Sequence, residues 1–143
     1  MKLALKDAFA KQASALNIFL FRRTGGRIGG SMGKAKILLL TVTGRKSGKP
    51  RTVPLVYTPD GDRLVLVASY GGDPRSPAWF HNLTANPLVT VEVGSEKKTM
   101  RAAVADAEEK QRLWPMVVAT YKGYEGYQKK TSRDIPLVIL TAV

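Results

Sequence analysis

The sequence predicts an α+β domain built on a small barrel of about six mostly antiparallel strands. Three observations lead there. The chain holds six strand-like apolar runs; most of them follow one another through hairpin-length connections; and the helical patterns are inserted between groups of strands. A doubly wound sheet would instead alternate strand and helix throughout. The organisation divides at residue 35, with an N-terminal helix and glycine-rich loop over 1–35 and the barrel over 36–143.

The elements follow in order. Residues 3–22 predict one amphipathic helix, because Leu5, Phe9, Ala13, Leu16 and Leu20 recur at three- and four-residue steps with Lys2, Lys6 and Lys11 off that stripe. Arg22 and Arg23 suit the negative end of its dipole, and Gly25-Gly26 end it. Residues 24–35, rich in Gly, Ser and Lys, predict a loop. A strand over 37–43 runs into the turn Gly44-Arg45-Lys46-Ser47-Gly48-Lys49-Pro50, and a second strand covers 52–58. Pro59-Asp60-Gly61-Asp62 reads as a hairpin turn, and the continuous apolar run 64–68 as a strand buried on both faces. After Ser69-Tyr70-Gly71-Gly72, Ser76 is placed to cap a short helix with Pro77 in its first turn, which Asn86-Pro87 stop. Val89, Val91 and Val93 alternate with Thr90 and Glu92 in a half-exposed strand; Gly94-Ser95 turns it toward another strand near 99–105. Asp106 and Glu109 have capping-box spacing for a helix that Pro115 is expected to kink or divide. Residues 121–130 predict a short aromatic helix or loop, and 137–141 the closing strand.

Composition narrows the function. The 143 residues contain no cysteine, which removes disulfides, thiolate metal sites and cysteine nucleophiles. His81 is the only histidine, so neither a multi-histidine metal site nor a triad needing a second histidine is available, and no metal is expected. Twenty-three Lys and Arg against eleven Asp and Glu leave a net charge of +12, which favours a polyanionic partner: nucleic acid, an anionic membrane surface, or a phosphorylated or polycarboxylated small molecule. No nucleic-acid-binding motif is present, which counts against the first. The most apolar run, 37–42, is far shorter than the roughly 20 residues of a spanning helix. The start does not read as a signal peptide, since Lys6, Asp7 and Lys11 interrupt its apolar stretches.

The stretch 44–51 carries the clearest chemistry. Arg45, Lys46, Lys49 and Arg51 crowd a glycine-bounded turn, where the backbone can expose amide N–H groups and Ser47 adds a hydroxyl. Arginine grips a phosphate or carboxylate through two parallel hydrogen bonds. The arrangement suits an anion held at a barrel mouth, and equally a solvated basic turn; it is not a P-loop.

This stretch and its sequel resemble the deazaflavin (coenzyme F420)-dependent nitroreductase family. The matching segments are Thr43-Gly44-Arg45-Lys46-Ser47-Gly48-Lys49-Pro50-Arg51-Thr52-Val53-Pro54-Leu55, Ala68-Ser69-Tyr70-Gly71-Gly72, Pro77-Ala78-Trp79-Phe80-His81-Asn82-Leu83 and Ala85-Asn86-Pro87, in that order. Trp114-Pro115, the tyrosines Tyr121, Tyr124 and Tyr127, and Ile135-Pro136 complete the match, which runs from about residue 36 to the C-terminus.

The resemblance implies a split β-barrel related to the flavin-binding pyridoxamine-oxidase-like proteins, and coenzyme F420 in preference to FMN. That cofactor carries a ribityl phosphate, a lactyl group and several glutamates, a polyanion matching the charge excess. The resemblance places Arg45, Lys46, Ser47 and Arg51 at the phosphate and the start of the glutamyl tail, and Thr52, Val53, Pro54, Leu55 and Val56 along the deazaflavin. Val67, Ala68, Ser69 and Tyr70 would contact the ring system or its ribityl chain, and Ala78, Trp79, Phe80, His81 and Asn82 would close the opposite wall. Tyr124, also bordering the cofactor, would flank the substrate pocket with Tyr121 and Tyr127. Ser69 and Tyr124 are the candidate catalytic groups, as hydrogen-bond or proton donors. Family members that activate bicyclic nitroimidazoles often carry Tyr at the position of Val56 and Lys at that of Tyr70, so the resemblance supports cofactor binding ahead of that particular activity.

The implied function is an F420H2-dependent reductase passing a hydride to a conjugated apolar acceptor: a quinone, an α,β-unsaturated lactone or ester, or a nitroaromatic. Read from the residues alone, a non-catalytic F420- or FMN-binding carrier and a peripheral membrane-binding module stay open. The resemblance also implies an actinobacterial setting and a cytoplasmic enzyme; monomer and homodimer both stay open. Its helix 3–22 suits peripheral contact with the inner face of the membrane, where quinones reside.

Overall fold

The computed structural model describes residues 15–143. The first part of the expected helix, 3–14, lies outside them; its remainder forms α1 over 15–24. The side chain that anchors α1 is Phe21, 1% exposed, whereas Leu16 of the predicted stripe stands 59% exposed. Arg22 grips Glu92 through Nε and Nη2, tying the helix to the barrel. Gly26 ends α1 with its N–H on Phe21 O at 2.9 Å. A Cβ there would meet Gly94 Cα at 2.9 Å, so only glycine allows this approach.

The loop expected over 24–35 contains a short strand, β1 (Ser31–Met32), paired with the start of β2 (Ala35–Thr43) across the turn at Gly33. Two isolated strand residues carry no periodicity, and only pairing to β2 makes them a strand. The remaining strands are β3 (Pro50–Asp60), β4 (Arg63–Val67), β5 (Leu88–Val93), β6 (Glu96–Val104) and β7 (Leu137–Ala142). Every pairing is antiparallel, in the order β1-β2-β3-β4-β7-β6-β5, and β2 also pairs β5 through Leu39↔Glu92, Leu40↔Val91 and Thr41↔Thr90. That last pairing closes six strands, β2 to β7, into the expected barrel. The β3–β4 hairpin turns at Gly61-Asp62 alone, with Pro59 and Asp60 still in the ladder.

Alternation sorts the side chains. Leu38, Leu40, Val42, Tyr57, Leu66, Ala68, Val89, Val91, Met100, Ala102, Val138 and Leu140 fill the interior, with Trp79 and Leu83 of α2 (Ala78–Ala85) joining them. Val65, Val67, Leu137 and Ile139 face outward onto α3 (Ala107–Thr120) and α4 (Gly123–Lys130), so β4 and β7 are covered on both faces, as the unbroken run 64–68 predicts.

Two helix expectations are corrected. Ser76 does not cap α2: Pro77 is itself the N-cap, in extended conformation, and Ser76 Oγ faces Arg133 instead. Pro115 does not divide α3, which runs unbroken from Ala107 to Thr120. A helical proline costs about 3 kcal/mol. Leu113 and Val117 on either side of it are fully buried, each contributing roughly 1.5–3 kcal/mol, and Pro115 itself is exposed. Asp106 caps α3 as its spacing predicts, accepting the Glu109 N–H at 2.8 Å.

Candidate functional site

The basic stretch becomes a tight loop joining β2 to β3. Gly44 N donates to Lys49 O and Gly48 N to Gly44 O, each at 2.8 Å. Gly44 packs tightly: a Cβ would lie 2.6 Å from Ser47 Oγ and 3.2 Å from Lys49 O, so a larger residue would displace the Ser47 side chain. The loop is pinned from α2. The buried Asn82 accepts at Oδ1 from Arg45 N at 3.1 Å and from Arg45 Nη1 at 3.0 Å. Gly44, Arg45, Lys46, Ser47, Arg51 and Asn82 line an open hollow of about 150 Å³. Among the described residues, no carboxylate forms an ion pair with Arg45, Lys46, Lys49 or Arg51. Cationic donors concentrated around a polar hollow are the chemistry that could hold an anion.

Beyond the loop, β3 divides its residues by face. Val53 and Leu55, half-buried, pack their side chains against the barrel interior. Thr52, Pro54 and Val56 lie on the opposite face, half-buried, and Thr52 Oγ1 meets Thr41 Oγ1 at 2.8 Å. At the end of β4, Val67 faces α3 and α4 while Ala68 points into the barrel. Ser69 is buried at the start of a 3-10 turn, Tyr70–Gly72. Tyr70, 48% exposed, has φ +46°, the only non-glycine residue at positive φ among those described. Its ring lies 5.8 Å beneath the Arg75 guanidinium.

On α2, Trp79 belongs to the barrel core, Phe80 packs edge-on to it, and Ala78 and His81 are exposed. His81 is thus a surface side chain, edge-on to Phe80 at 5.8 Å. Trp114 is half-buried at the rim of the outer cluster, with Lys110 Nζ 5.2 Å from its ring centre.

The three tyrosines do come together. Tyr121 and Tyr124 are edge-to-face at 5.0 Å, Tyr127 lies 6.0 and 6.3 Å from them, and the hydroxyls of Tyr121 and Tyr127 share a hydrogen bond of 3.0 Å. Burial, reinforced by Tyr121 and Tyr127, pushes the Tyr124 phenol up to about 12. The hydrogen bond from Tyr121 raises Tyr127 as well. This cluster sits against the Ser69–Gly72 turn: a Cβ on Gly72 would lie 2.8 Å from Tyr127 O.

Sequence reasoning missed one organiser, Arg133. Half-buried in the connector before β7, it donates from Nε to Asp73 O at 2.8 Å and from Nη2 to Ala68 O and Ser69 O at 3.1 and 2.8 Å. Nothing in the string Ser132-Arg133-Asp134 separates it from a surface arginine.

Comparison with known proteins agrees with this geometry. Residues 15–142 match the profile of the F420H2-dependent quinone reductase family. An F420H2-dependent quinone reductase of Mycobacterium tuberculosis is 44% identical over 134 residues, 91% of this chain and 90% of that one. A solved structure described as an F420-H2 dependent reductase, FDR-A, superposes with TM-score 0.68 at 42% identity, over 73% of this chain and 92% of its own. A chain described as a domain-swapped dimer does so with TM-score 0.72 at 34% identity, over 94% and 98%. The haem storage protein HutZ of Vibrio cholerae, at 15% identity and TM-score 0.59 over 78% and 84%, shares the barrel fold alone.

Proposed function

The chain belongs to the F420H2-dependent quinone reductase family, and from that premise we propose that it reduces a quinone with F420H2, holding the cofactor's anionic tail in the loop between β2 and β3. The observation that carries this is the basic hollow: Arg45, Lys46 and Arg51 line it without carboxylate partners among the described residues, and Asn82 pins its loop. The donor set fits the group. Arg45, Lys46 and Arg51 would neutralise a phosphate and the first tail carboxylates, and Ser47, whose oxygen already accepts the Lys49 N–H, keeps its hydroxyl hydrogen free to donate.

When bound, the reduced deazaflavin supplies a hydride from C5. The protein's own part is placement, exclusion of water and hydrogen bonding. Thr52, Pro54 and Val56 offer a flat half-buried face, with Val53 and Leu55 contributing main chain. Tyr70 is the exposed side chain at the end of β4, with Val67 and Ala68 buried behind it on opposite faces; Ala78, Phe80 and His81 would form the opposite wall, and Trp79 braces it from the core. Ser69 and Tyr124 are the candidate donors to the oxygen that gains negative charge as the quinone is reduced. With its pKa near 12, Tyr124 keeps its proton at neutral pH and acts as a hydrogen-bond donor in preference to an acid. Tyr121 and Tyr127, half-buried beside Tyr124, offer an aromatic, hydroxyl-edged surface suited to a flat acceptor.

The test is a fluorescence titration with oxidised F420 and, in parallel, FMN, followed by turnover of a water-soluble quinone. F420 binding well ahead of FMN, with F420H2-dependent quinone loss, is the expected result. Preference for FMN would refute the cofactor assignment, and binding without turnover would leave a carrier.

A second reading concerns location. Leu16, Phe19, Ile28 and Met32 are 49–62% exposed on α1 and the segment after it, among the exposed cations Arg23, Arg27, Lys34 and Lys36. No helix among the described residues is long and apolar enough to cross a membrane. A basic apolar face of this kind suits peripheral contact with an anionic bilayer, from which a lipid quinone would be drawn. Sedimentation with phosphatidylglycerol but not phosphatidylcholine vesicles is expected, and its loss in Phe19→Ser would confirm the face. The dimeric relative favours a homodimer, which light scattering would test.

A further inference from the structure

The geometry points to Arg133 as a positioning residue that locks the Ser69–Gly72 turn to the tyrosine cluster, so that the two act as one rigid unit beside the acceptor. This rests on the reading above that the turn and α4 border the acceptor.

Arg133 is fixed at its backbone by α4 and at its head by the turn. Gln128 on α4 donates from Nε2 to Arg133 O at 2.7 Å and accepts the Ile135 N–H at Oε1 at 3.0 Å. From α3, Lys110 Nζ donates to Ile135 O at 2.6 Å and reaches Asp134. The connector carrying Arg133 is therefore part of the helical layer. Its guanidinium then crosses to the turn and collects the carbonyls of Ala68, Ser69 and Asp73, with Ser76 Oγ at 3.5 Å. These are charge-assisted bonds to backbone, the stronger kind, and the fork geometry allows one side chain to make three at once.

The turn needs such a brace. A non-glycine residue at φ +46° carries strain, and such residues persist where the surroundings over-determine them. Here Gly72 N–H returns to Ser69 O at 3.0 Å and Asp73 N–H to Tyr70 O at 3.1 Å. The α4 backbone closes on Gly72 from the far side, where no Cβ fits. Arg133 is the link that makes these contacts one unit. The anion seat is anchored separately, by Asn82 from α2.

That separation supplies the test. Amide hydrogen exchange on the free protein should show Arg133→Gln accelerating exchange roughly tenfold in both 69–75 and 123–130, while 44–51 stays within twofold. With F420H2 and menadione, kcat should fall about tenfold or KM rise comparably, while the F420 dissociation constant moves less than threefold. Arg133→Lys, which keeps charge but cannot form the fork, should give an intermediate loss. Gly72→Ala, which wedges the turn from α4, should reproduce the kinetic split and serves if Arg133→Gln does not fold. Faster exchange in only one of the two segments, unchanged menadione kinetics, or F420 affinity falling in step with kcat overturns the proposal. If wild-type protein neither binds F420 nor reduces menadione, the functional reading fails, and exchange alone judges the brace.

Discussion

Replacing Asn82 tests whether the anion seat works because it is held in advance. In Asn82→Ala the loop loses both bonds to Oδ1. The backbone bond contributes about 0.5–1.5 kcal/mol and the guanidinium bond up to about 3, with the latter discounted because Arg45 is exposed to water. A loss of roughly 1–2 kcal/mol of loop anchoring must be made good on binding, which corresponds to about a 5- to 30-fold weaker affinity for the F420 tail. Asn82→Asp separates anchoring from charge. Its carboxylate accepts the same two donors and keeps the loop in place, but it neutralises Arg45 and repels the incoming anion. The two variants should therefore diverge in stability and agree in binding. Asn82→Ala lowers the thermal midpoint, Asn82→Asp retains more of it, and both bind oxidised F420 weakly. Fluorescence titration at two ionic strengths, paired with thermal unfolding, reads all of this, and the Asp variant should show the shallower salt dependence. An Asp variant that binds like wild type would falsify the idea that Arg45 belongs to the seat; an Ala variant that does so would show that preorganisation contributes nothing.

Three further outcomes are expected. Arg51→Ala should weaken F420 binding about tenfold or more while leaving the rate at saturating cofactor within about twofold, as rapid-mixing kinetics would show. Asp60 is held down to about 2 by hydrogen bonds from Arg112 and Arg63, so its contribution is complete above the ordinary carboxylate value near 4 and is lost as pH falls toward 2. Asp60→Asn should consequently flatten the acid limb of a stability-against-pH curve, and an unchanged limb would exclude the clamp between β3 and α3. Tyr124 acts at the other extreme: below pH 10 its burial has no pH signature, whereas between 10 and about 12 the unfolded phenol ionises first and stability falls, by on the order of 2 kcal/mol. Tyr124→Phe should remove that alkaline loss in denaturant titrations at pH 9 and 11.

What the chain's local pattern determined was the set of elements and the chemistry each carries. The alternation of Val89, Val91 and Val93, the unbroken run 64–68, the Asp106–Glu109 cap and the basic turn after β2 are all statements about near neighbours, and each stands in the fold where periodicity puts it. The family resemblance added which loops would face a deazaflavin. Tertiary structure alone decided how those pieces close. The ladder of Leu39–Thr41 on Thr90–Glu92 joins residues some fifty positions apart and turns a sheet into a barrel. Asn82 reaches 37 positions back to Arg45, and Arg133 more than sixty back to Ala68 and Ser69. Pro115 stays inside a helix because Leu113 and Val117 are buried on both sides of it, and Leu16 is exposed because Phe21 takes the anchoring site. In each case the outcome turned on a competition for partners in space. A one-dimensional pattern names which groups want burial or a hydrogen bond, but only the folded chain brings within reach the particular group that satisfies them.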